Sequence, residues 1–280
     1  SRTKENAEHG LRKALSQVAL LGEHGLTTRL RAERAKDLLH ASSDLDGIVP
    51  QVDLVMESAP EDMTFKQALF AHLDGISKPD AVLATNTSGL CITEVARLCT
   101  RNGRALTTHF WNPPHLMPLV ELVRGEKTAD EVVEEVRELL IDCGKTPVLV
   151  QKDRPGQLGN RLQMALVREA INIVDEGIAT AEDVDIAARM GFGLRLPAYG
   201  IFEHQDMVGL DLSFAITDYV TRDLLNEPGA PRLLRELRDQ GKLGVKTGQG
   251  FHDWSKKDPG EVRARRDRFV LEVLKRKLAE

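Results

Sequence analysis

Residues 105–123 set the architecture of this chain, and they read ALTTHFWNPPHLMPLVELV. Two apolar runs in this stretch, at 105–110 and 119–123, predict two strands bounded by prolines. The first run carries His109 near its end, and Glu121 lies inside the second. A carboxylate within an apolar strand is unfavourable unless it is paired, and a His at the end of a neighbouring strand is its natural partner. The stretch therefore predicts a His109–Glu121 pair in a sheet.

Such a pair has a chemical interpretation and a structural one. A carboxylate that bonds one ring nitrogen fixes the imidazole tautomer and supports positive charge on the ring. This arrangement suits proton abstraction from an alcohol. The alternatives are a purely structural pair and a Glu121 on a solvent-facing sheet edge.

Strands and helices alternate on both sides of this stretch. The predicted strands are 52–57, 81–85, 105–110, 119–123 and 146–150, and the predicted helices between and before them are 1–21, 30–41, 65–76, 93–98 and 128–143. Alternation with few hairpin turns is typical of an α/β domain with a parallel sheet. We therefore predict an α/β domain over residues 1–153.

The chain changes character after the sequence DRPG at 153–156. Strand patterns stop there, and the remaining segments predict helices at 157–175, 181–188, 212–225, 230–240 and 260–278. We predict a second, all-helical domain over residues 154–280.

Composition excludes several classes of protein. The 280 residues are 41% apolar and 29% charged with a formal net charge of −5, which argues against disorder and against a nucleic-acid partner. No apolar run approaches the length of a membrane span.

Three cysteines are an odd count, so we expect free thiols in a reducing compartment, the cytoplasm. His109 and His115 have no third ligand nearby in sequence, and no metal site is predicted.

Two further polar stretches follow predicted strands. The stretch ATNTSGL at 84–90 follows a strand directly, and ligands bind at the carboxyl ends of strands in open α/β sheets. A turn and helix cap explains the same residues. Asn160 falls in the first turns of the helix after DRPG, where its amide can bond a substrate oxygen, cap the helix or bridge the domains.

Five motifs in order, TNTSGL, HFWNPP, PLVEL, PGQLGNRL and KTGQGF, resemble the NAD-dependent 3-hydroxyacyl-CoA dehydrogenase family. The resemblance runs from residue 1 to about residue 254. It implies a Rossmann-like NAD-binding domain followed by a helical domain that forms a homodimer contact. The implied reaction is reversible oxidation of the 3-hydroxy group of an L-3-hydroxyacyl-CoA to a 3-keto group.

The resemblance also implies roles for individual residues. His109 is similar in position to the family's catalytic base and Glu121 to its partner, while Ser88 and Asn160 match residues that hold the substrate. The implied cofactor contacts are Glu61, Lys66, Ser88, Asn112 and Lys246.

The largest departure from the family concerns the glycine-rich turn. A Rossmann domain opens with a strand, a G-x-G-x-x-G turn and a helix, and these residues do not contain that βαβ unit. Gly191 and Gly193 are no substitute, because no strand precedes them. We expect the unit to belong to the complete protein, ahead of residue 1. The alternative is a non-catalytic remnant that no longer binds NAD.

A second departure concerns the substrate. Ala14 and Leu21 stand where the CoA-ester enzymes offer a Ser and a Lys to CoA, although Arg12 and Lys13 are close by. The residues Gly89, Pro114, Gln157 and Gly159 also differ from the usual CoA enzymes, and the first two resemble relatives of the L-gulonate 3-dehydrogenase and lambda-crystallin group. An L-3-hydroxyacyl-CoA is the leading predicted substrate, and a free 3-hydroxy acid or sugar acid is the alternative.

Overall fold

The structure, a computed structural model, describes residues 1–279. The chain divides into two compact units, one formed by residues 1–160 with the segment from Ala264 onwards, and one formed by residues 161–263. The first unit ends seven residues after the boundary predicted at 153. The difference lies at the C-terminus, which the sequence analysis assigned to the helical half. From Ala264 onwards the last helix groups with the first unit, and its Leu271 is buried.

The first unit is an α/β structure built on a five-stranded sheet. Its strands are β1 (Leu54–Glu57), β2 (Val82–Thr85), β3 (Ala105–Phe110), β4 (Leu119–Arg124) and β5 (Thr146–Val150). The helices before and between them are α1 (Lys4–Glu23), α2 (Arg29–Leu38), α3 (Leu45–Ile48), α4 (Met63–Ile76), α5 (Ile92–Val95) and α6 (Asp130–Asp142). The predicted α/β class is confirmed, and the termini of most elements differ from the prediction by a few residues.

The strands lie in the order in which they occur in the chain, and one pairing is not parallel. β1 with β2, β2 with β3 and β4 with β5 are parallel, whereas β3 and β4 are antiparallel. The predicted parallel sheet is therefore confirmed at three of the four pairings, and the pairing of β3 with β4 is the exception. The physical reason is the connection: residues 111–118 join β3 to β4 without a helix, and a parallel crossover needs a longer link.

Helices cover both faces of the sheet, and alternation along the strands explains how. Leu83 of β2 packs with Phe70 and Leu73 of α4, on one face. Its neighbours Val82 and Ala84 point to the other face, where Val132, Val136 and Leu140 of α6 form a stripe with a spacing of four residues. Burial of both faces explains why the strands are nearly continuous apolar runs, in which a polar residue stands out.

The second unit is helical. It contains most of α7 (Gly159–Asp175), then α8 (Ala181–Met190), α9 (Phe192–Arg195), α10 (Ile201–Val208), α11 (Leu210–Val220) and α12 (Arg232–Asp239), and the final helix α13 (Pro259–Ala279) begins in it. α10 has no counterpart among the helices predicted from the sequence. It begins after Gly200, whose N–H donates to the Glu203 carboxylate at 2.8 Å. No helix within residues 1–279 has the length and apolarity that a membrane crossing requires.

Candidate active site

The carboxyl ends of β1, β2 and β3 lie side by side, and the Asn86 side chain forms hydrogen bonds that link them. Its side-chain oxygen accepts a hydrogen bond from the Phe110 N–H at 2.9 Å, and its amide nitrogen donates to Ser58 Oγ at 3.3 Å. Asn86 directly follows β2, so these bonds reach across to the residues after β1 and at the end of β3. This sheet edge is where ligands bind in open α/β folds.

His109 and Glu121 form a buried pair at this edge. The antiparallel register of β3 and β4 places the two residues directly opposite each other, and the distance from His109 Nδ1 to Glu121 Oε2 is 2.7 Å. His109 is 6% exposed and Glu121 is 0% exposed. The ionised carboxylate accepts the Nδ1 proton, which leaves Nε2 as the nitrogen with a free electron pair in the neutral ring. Within the described part of the chain, Nε2 has no hydrogen-bond partner. His109 can therefore act as a base through Nε2.

The Glu121 carboxylate accepts hydrogen bonds from four donors. Besides His109, Trp111 Nε1 donates to Oε2 at 3.0 Å, and the N–H groups of Leu158 and Gly159 donate to Oε1 at 2.9 and 2.8 Å. Burial raises the pKa of Glu121, but hydrogen bonds from His109, Gly159, Trp111 and Leu158 outweigh it and lower the pKa to about 2. Glu121 is therefore ionised at neutral pH and can stabilise a protonated His109.

Trp111, Leu158 and Gly159 are site residues that the sequence analysis did not identify as such. Trp111 follows His109 by two residues. Side chains two apart on a strand point to the same face of the sheet, and this spacing is the signal that could have placed Trp111 beside His109. Leu158 and Gly159 contribute backbone N–H groups at the start of α7, which have no partner within the helix and favour an anion. Backbone donors carry no side-chain signature, so the sequence contains no sign of them.

The structure brings Ser88, Asn160 and Glu61 together through hydrogen bonds, and their implied contacts with substrate and cofactor stay predictions. The Asn160 amide donates to the Ser88 carbonyl oxygen at 2.8 Å. Glu61 Oε1 accepts from the N–H groups of Ser88 and Gly89, both at 3.2 Å, and from the Thr87 hydroxyl. Gln157 Nε2 donates to the Thr87 carbonyl oxygen at 2.8 Å. These bonds hold the 87–89 loop at the sheet edge and leave Ser88 exposed.

Lys66 has a structural partner that the sequence analysis missed. Lys66 is 1% exposed, and its ammonium group donates to both Glu57 carboxylate oxygens, at 2.7 and 2.9 Å, and to the Ala59 carbonyl at 3.2 Å. Glu57 is itself buried and accepts from the Thr85 hydroxyl at 2.6 Å. Glu61 Oε2 lies 3.9 Å from Lys66 Nζ. Lys66 thus pairs with Glu57 in the core, and its implied contact with the cofactor stays a prediction.

Two implied cofactor residues remain, Asn112 and Lys246. Asn112 is exposed in the connection after β3 and precedes a cis peptide bond to Pro113. Lys246 belongs to the second unit, where it lines a cavity with Trp254, Phe251 and Arg235. Contact of either residue with the cofactor stays a prediction.

The residues present fit the nicotinamide end of a dinucleotide. The sheet edge offers the exposed Ser88 and the buried side-chain oxygen of Gln157, which has no hydrogen-bond partner in the described residues. A buried acceptor without a partner is a group that a ligand can satisfy. Those described residues contain no cluster of His, Cys, Asp and Glu that could hold a metal ion. Their three cysteines are free.

Comparison with known proteins identifies the family of the chain. Residues 1–154 match the family model described as "3-hydroxyacyl-CoA dehydrogenase, NAD binding domain", and residues 156–254 match "3-hydroxyacyl-CoA dehydrogenase, C-terminal domain". The chain is 35% identical to a probable 3-hydroxybutyryl-CoA dehydrogenase of Bacillus subtilis over 254 residues, which cover 90% of this chain and 87% of the relative.

A second relative is named for a pyridine carboxylate. It is the 5-formyl-3-hydroxy-2-methylpyridine 4-carboxylate 5-dehydrogenase of Mesorhizobium japonicum, 32% identical over 232 residues that cover 83% of this chain and 75% of the relative. A crystal structure of an enzyme with that activity, described as an NAD+-dependent dismutase, superposes with a TM-score of 0.79 at 32% identity and the same coverage. With both family models matched in order, the chain belongs to the 3-hydroxyacyl-CoA dehydrogenase family and is an NAD-dependent oxidoreductase.

Proposed function

We propose that the protein interconverts a 3-hydroxy and a 3-keto group, with His109 as the base. The observation that carries this proposal is the buried His109–Glu121 pair, which fixes Nδ1 as the donor and leaves Nε2 available. When bound, NAD accepts or returns the hydride of the C3 carbon. The hydroxyl proton moves to His109 Nε2, and the Glu121 carboxylate stabilises the imidazolium that forms. In the reverse direction, the imidazolium returns the proton to the alkoxide oxygen.

Ser88 and Asn160 have different parts in this proposal. Ser88 is exposed at the sheet edge, and its hydroxyl can bond the substrate oxygen. The Asn160 amide already donates to the Ser88 carbonyl, so we assign it to holding the 87–89 loop in place. A non-catalytic remnant has no need of a buried carboxylate with four donors, and this network favours the enzyme.

An L-3-hydroxyacyl-CoA is the substrate class that we propose first. The family models and the Bacillus relative support it. A free 3-hydroxy acid or sugar acid is the second candidate, because the Mesorhizobium relative is named for a pyridine carboxylate and because Ala14 and Leu21 replace the Ser and Lys that the family offers to CoA.

The two substrate classes differ in what free CoA does. For a CoA-ester enzyme we expect free CoA to inhibit competitively, and kcat/KM for 3-hydroxybutyryl-CoA to exceed that for 3-hydroxybutyrate by about 10²-fold or more, because the CoA moiety contributes binding energy remote from C3. The measurement is NADH formation at saturating NAD. Equal kcat/KM for both substrates, with no inhibition by CoA, would assign the protein to the free acids.

We also propose a homodimer formed through the helical unit. Phe202 and Tyr219 of that unit are 83% and 80% exposed, and Met207 and Phe214 are also exposed. Exposed apolar residues concentrated on α10 and α11 are typical of an interface. Light scattering should give twice the 31.1 kDa of this chain, and Phe214→Glu should shift the protein towards the monomer. A monomer at all concentrations contradicts the proposal.

We also propose a cytoplasmic location, which the odd number of cysteines supports.

A further inference from the structure

Trp111 and His109 share one oxygen of the same carboxylate. Glu121 Oε2 lies 2.7 Å from His109 Nδ1 and 3.0 Å from Trp111 Nε1. The two rings are tilted by 55° with their centroids 5.9 Å apart. The indole N–H is a donor only, so Trp111 cannot take a proton and can influence His109 solely through the carboxylate and through packing.

Gly159 provides the space that the indole occupies. A Cβ atom added at Gly159 would lie 2.3 Å from Trp111 Cζ2, which is closer than real Cβ atoms come to any neighbour. Gly159 is not among the residues with positive φ, so its backbone conformation is open to alanine. It also begins α7, where alanine has the higher helix propensity. The clash with Trp111 is therefore the reason for glycine at this position.

We propose that Trp111 is a positioning residue for His109 and acts through Glu121. Gly159, which has no side chain, leaves the space that the indole ring of Trp111 fills. The second donor on Oε2 fixes the carboxylate in the plane that faces the imidazole. It also draws negative charge away from the bond to Nδ1, because two donors share one oxygen. Trp111 thereby weakens the stabilisation that Glu121 gives to the imidazolium. Within the described residues, 1–279, the ion pair of His109 is with the carboxylate of Glu121.

The first test removes the indole N–H with Trp111→Phe, which keeps an aromatic ring. We expect the titration midpoint of the His109 ring to rise by about 0.5–1 pH unit, because the carboxylate then stabilises the imidazolium more strongly. Nitrogen-15 NMR of the ring reports this midpoint without any turnover. The acid limb of kcat/KM for hydroxyl oxidation should move to higher pH by the same amount. A midpoint that stays within about 0.2 pH unit of the unsubstituted protein would overturn the proposal.

The second test measures the complementarity of Trp111 and Gly159 by a double-mutant cycle. Gly159→Ala should lower Tm by about 5 °C because it overpacks the site. The same substitution in the Trp111→Phe background should lower Tm far less. Gly75→Ala is the matched control, because Gly75 lies in α4 with no atom within 4 Å of an added Cβ, and there Tm should stay or rise. An equal loss from Gly159→Ala in both backgrounds would show that the indole is not what requires the glycine.

This inference rests on the proposed role of His109, and the two fail in different ways. If turnover depends on His109 but Trp111→Phe leaves the ring titration unchanged, Trp111 is not a positioning residue and the proposed function stands. If the ring titration moves but no 3-hydroxy substrate is oxidised, the proposed function fails and the coupling of Trp111 to His109 through Glu121 stands.

Discussion

Replacing His109 with Ala should lower kcat for hydroxyl oxidation by about 10³-fold, within the range that a general base contributes. The reason is geometric: His109 Nε2 is the acceptor at the sheet edge, and its tautomer is fixed by the 2.7 Å bond to Glu121. NAD binding should survive, because His109 takes the substrate proton and is not among the residues assigned to the cofactor. Stopped-flow turnover and a fluorescence titration with NADH measure the two effects separately.

His72→Ala is the matched control for this substitution. His72 is exposed on α4 and bonds Asp46 at 2.7 Å, outside the network of the sheet edge, so we expect kcat to be unchanged. Full turnover in the His109→Ala variant would remove His109 from the mechanism. A loss of NADH affinity equal to the loss of kcat would instead assign it to the cofactor.

Glu121→Gln should have the next largest effect. The amide has nearly the shape of the carboxylate, but one of its two ends is a donor. In either orientation that end faces two N–H groups, either those of Leu158 and Gly159 or those of His109 and Trp111. We expect kcat to fall by about 10²-fold, because the imidazolium loses its counter-charge. The free energy of unfolding should fall by about 3 kcal/mol, because buried donors lose their acceptor.

The stability difference should depend on pH in a defined direction. The pKa of Glu121 is lowered from its ordinary value of 4.5 to about 2 in the folded protein. A lowered carboxyl pKa stabilises the fold above the unfolded value, and this contribution is lost as pH falls from 4.5 towards 2. The gap between the original protein and Glu121→Gln, measured by urea unfolding, should therefore be largest near neutral pH and shrink below the unfolded pKa of the carboxyl group.

A substitution of an exposed carboxylate separates this effect from general acid denaturation. Glu138 is exposed on α6, and Glu138→Gln should leave the unfolding free energy within about 0.5 kcal/mol at every pH. A gap for Glu121→Gln that is constant from about pH 7 to about pH 3 would mean that the carboxylate has no special stabilisation.

The α/β class and the pair at the centre of the site follow from the order of residues alone. His109 and Glu121 stand out because each interrupts an apolar run, and an ionised group buried in a strand needs a partner of opposite character. The motifs around them were sufficient to identify the family, which the matched family models confirmed. These signals are local in the chain or lie in a fixed order along it, so they can be recognised without a three-dimensional structure.

The direction of β4 and the surroundings of the carboxylate required the three-dimensional structure. The antiparallel register brings His109 opposite Glu121, and it follows from a connection too short for a parallel crossover. Leu158 and Gly159 reach Glu121 from 37 and 38 residues away. Trp111 fits only because Gly159 has no side chain. Such contacts depend on where the start of α7 lies against the sheet, and a backbone N–H or an absent Cβ leaves no pattern from which a sequence can predict its partner.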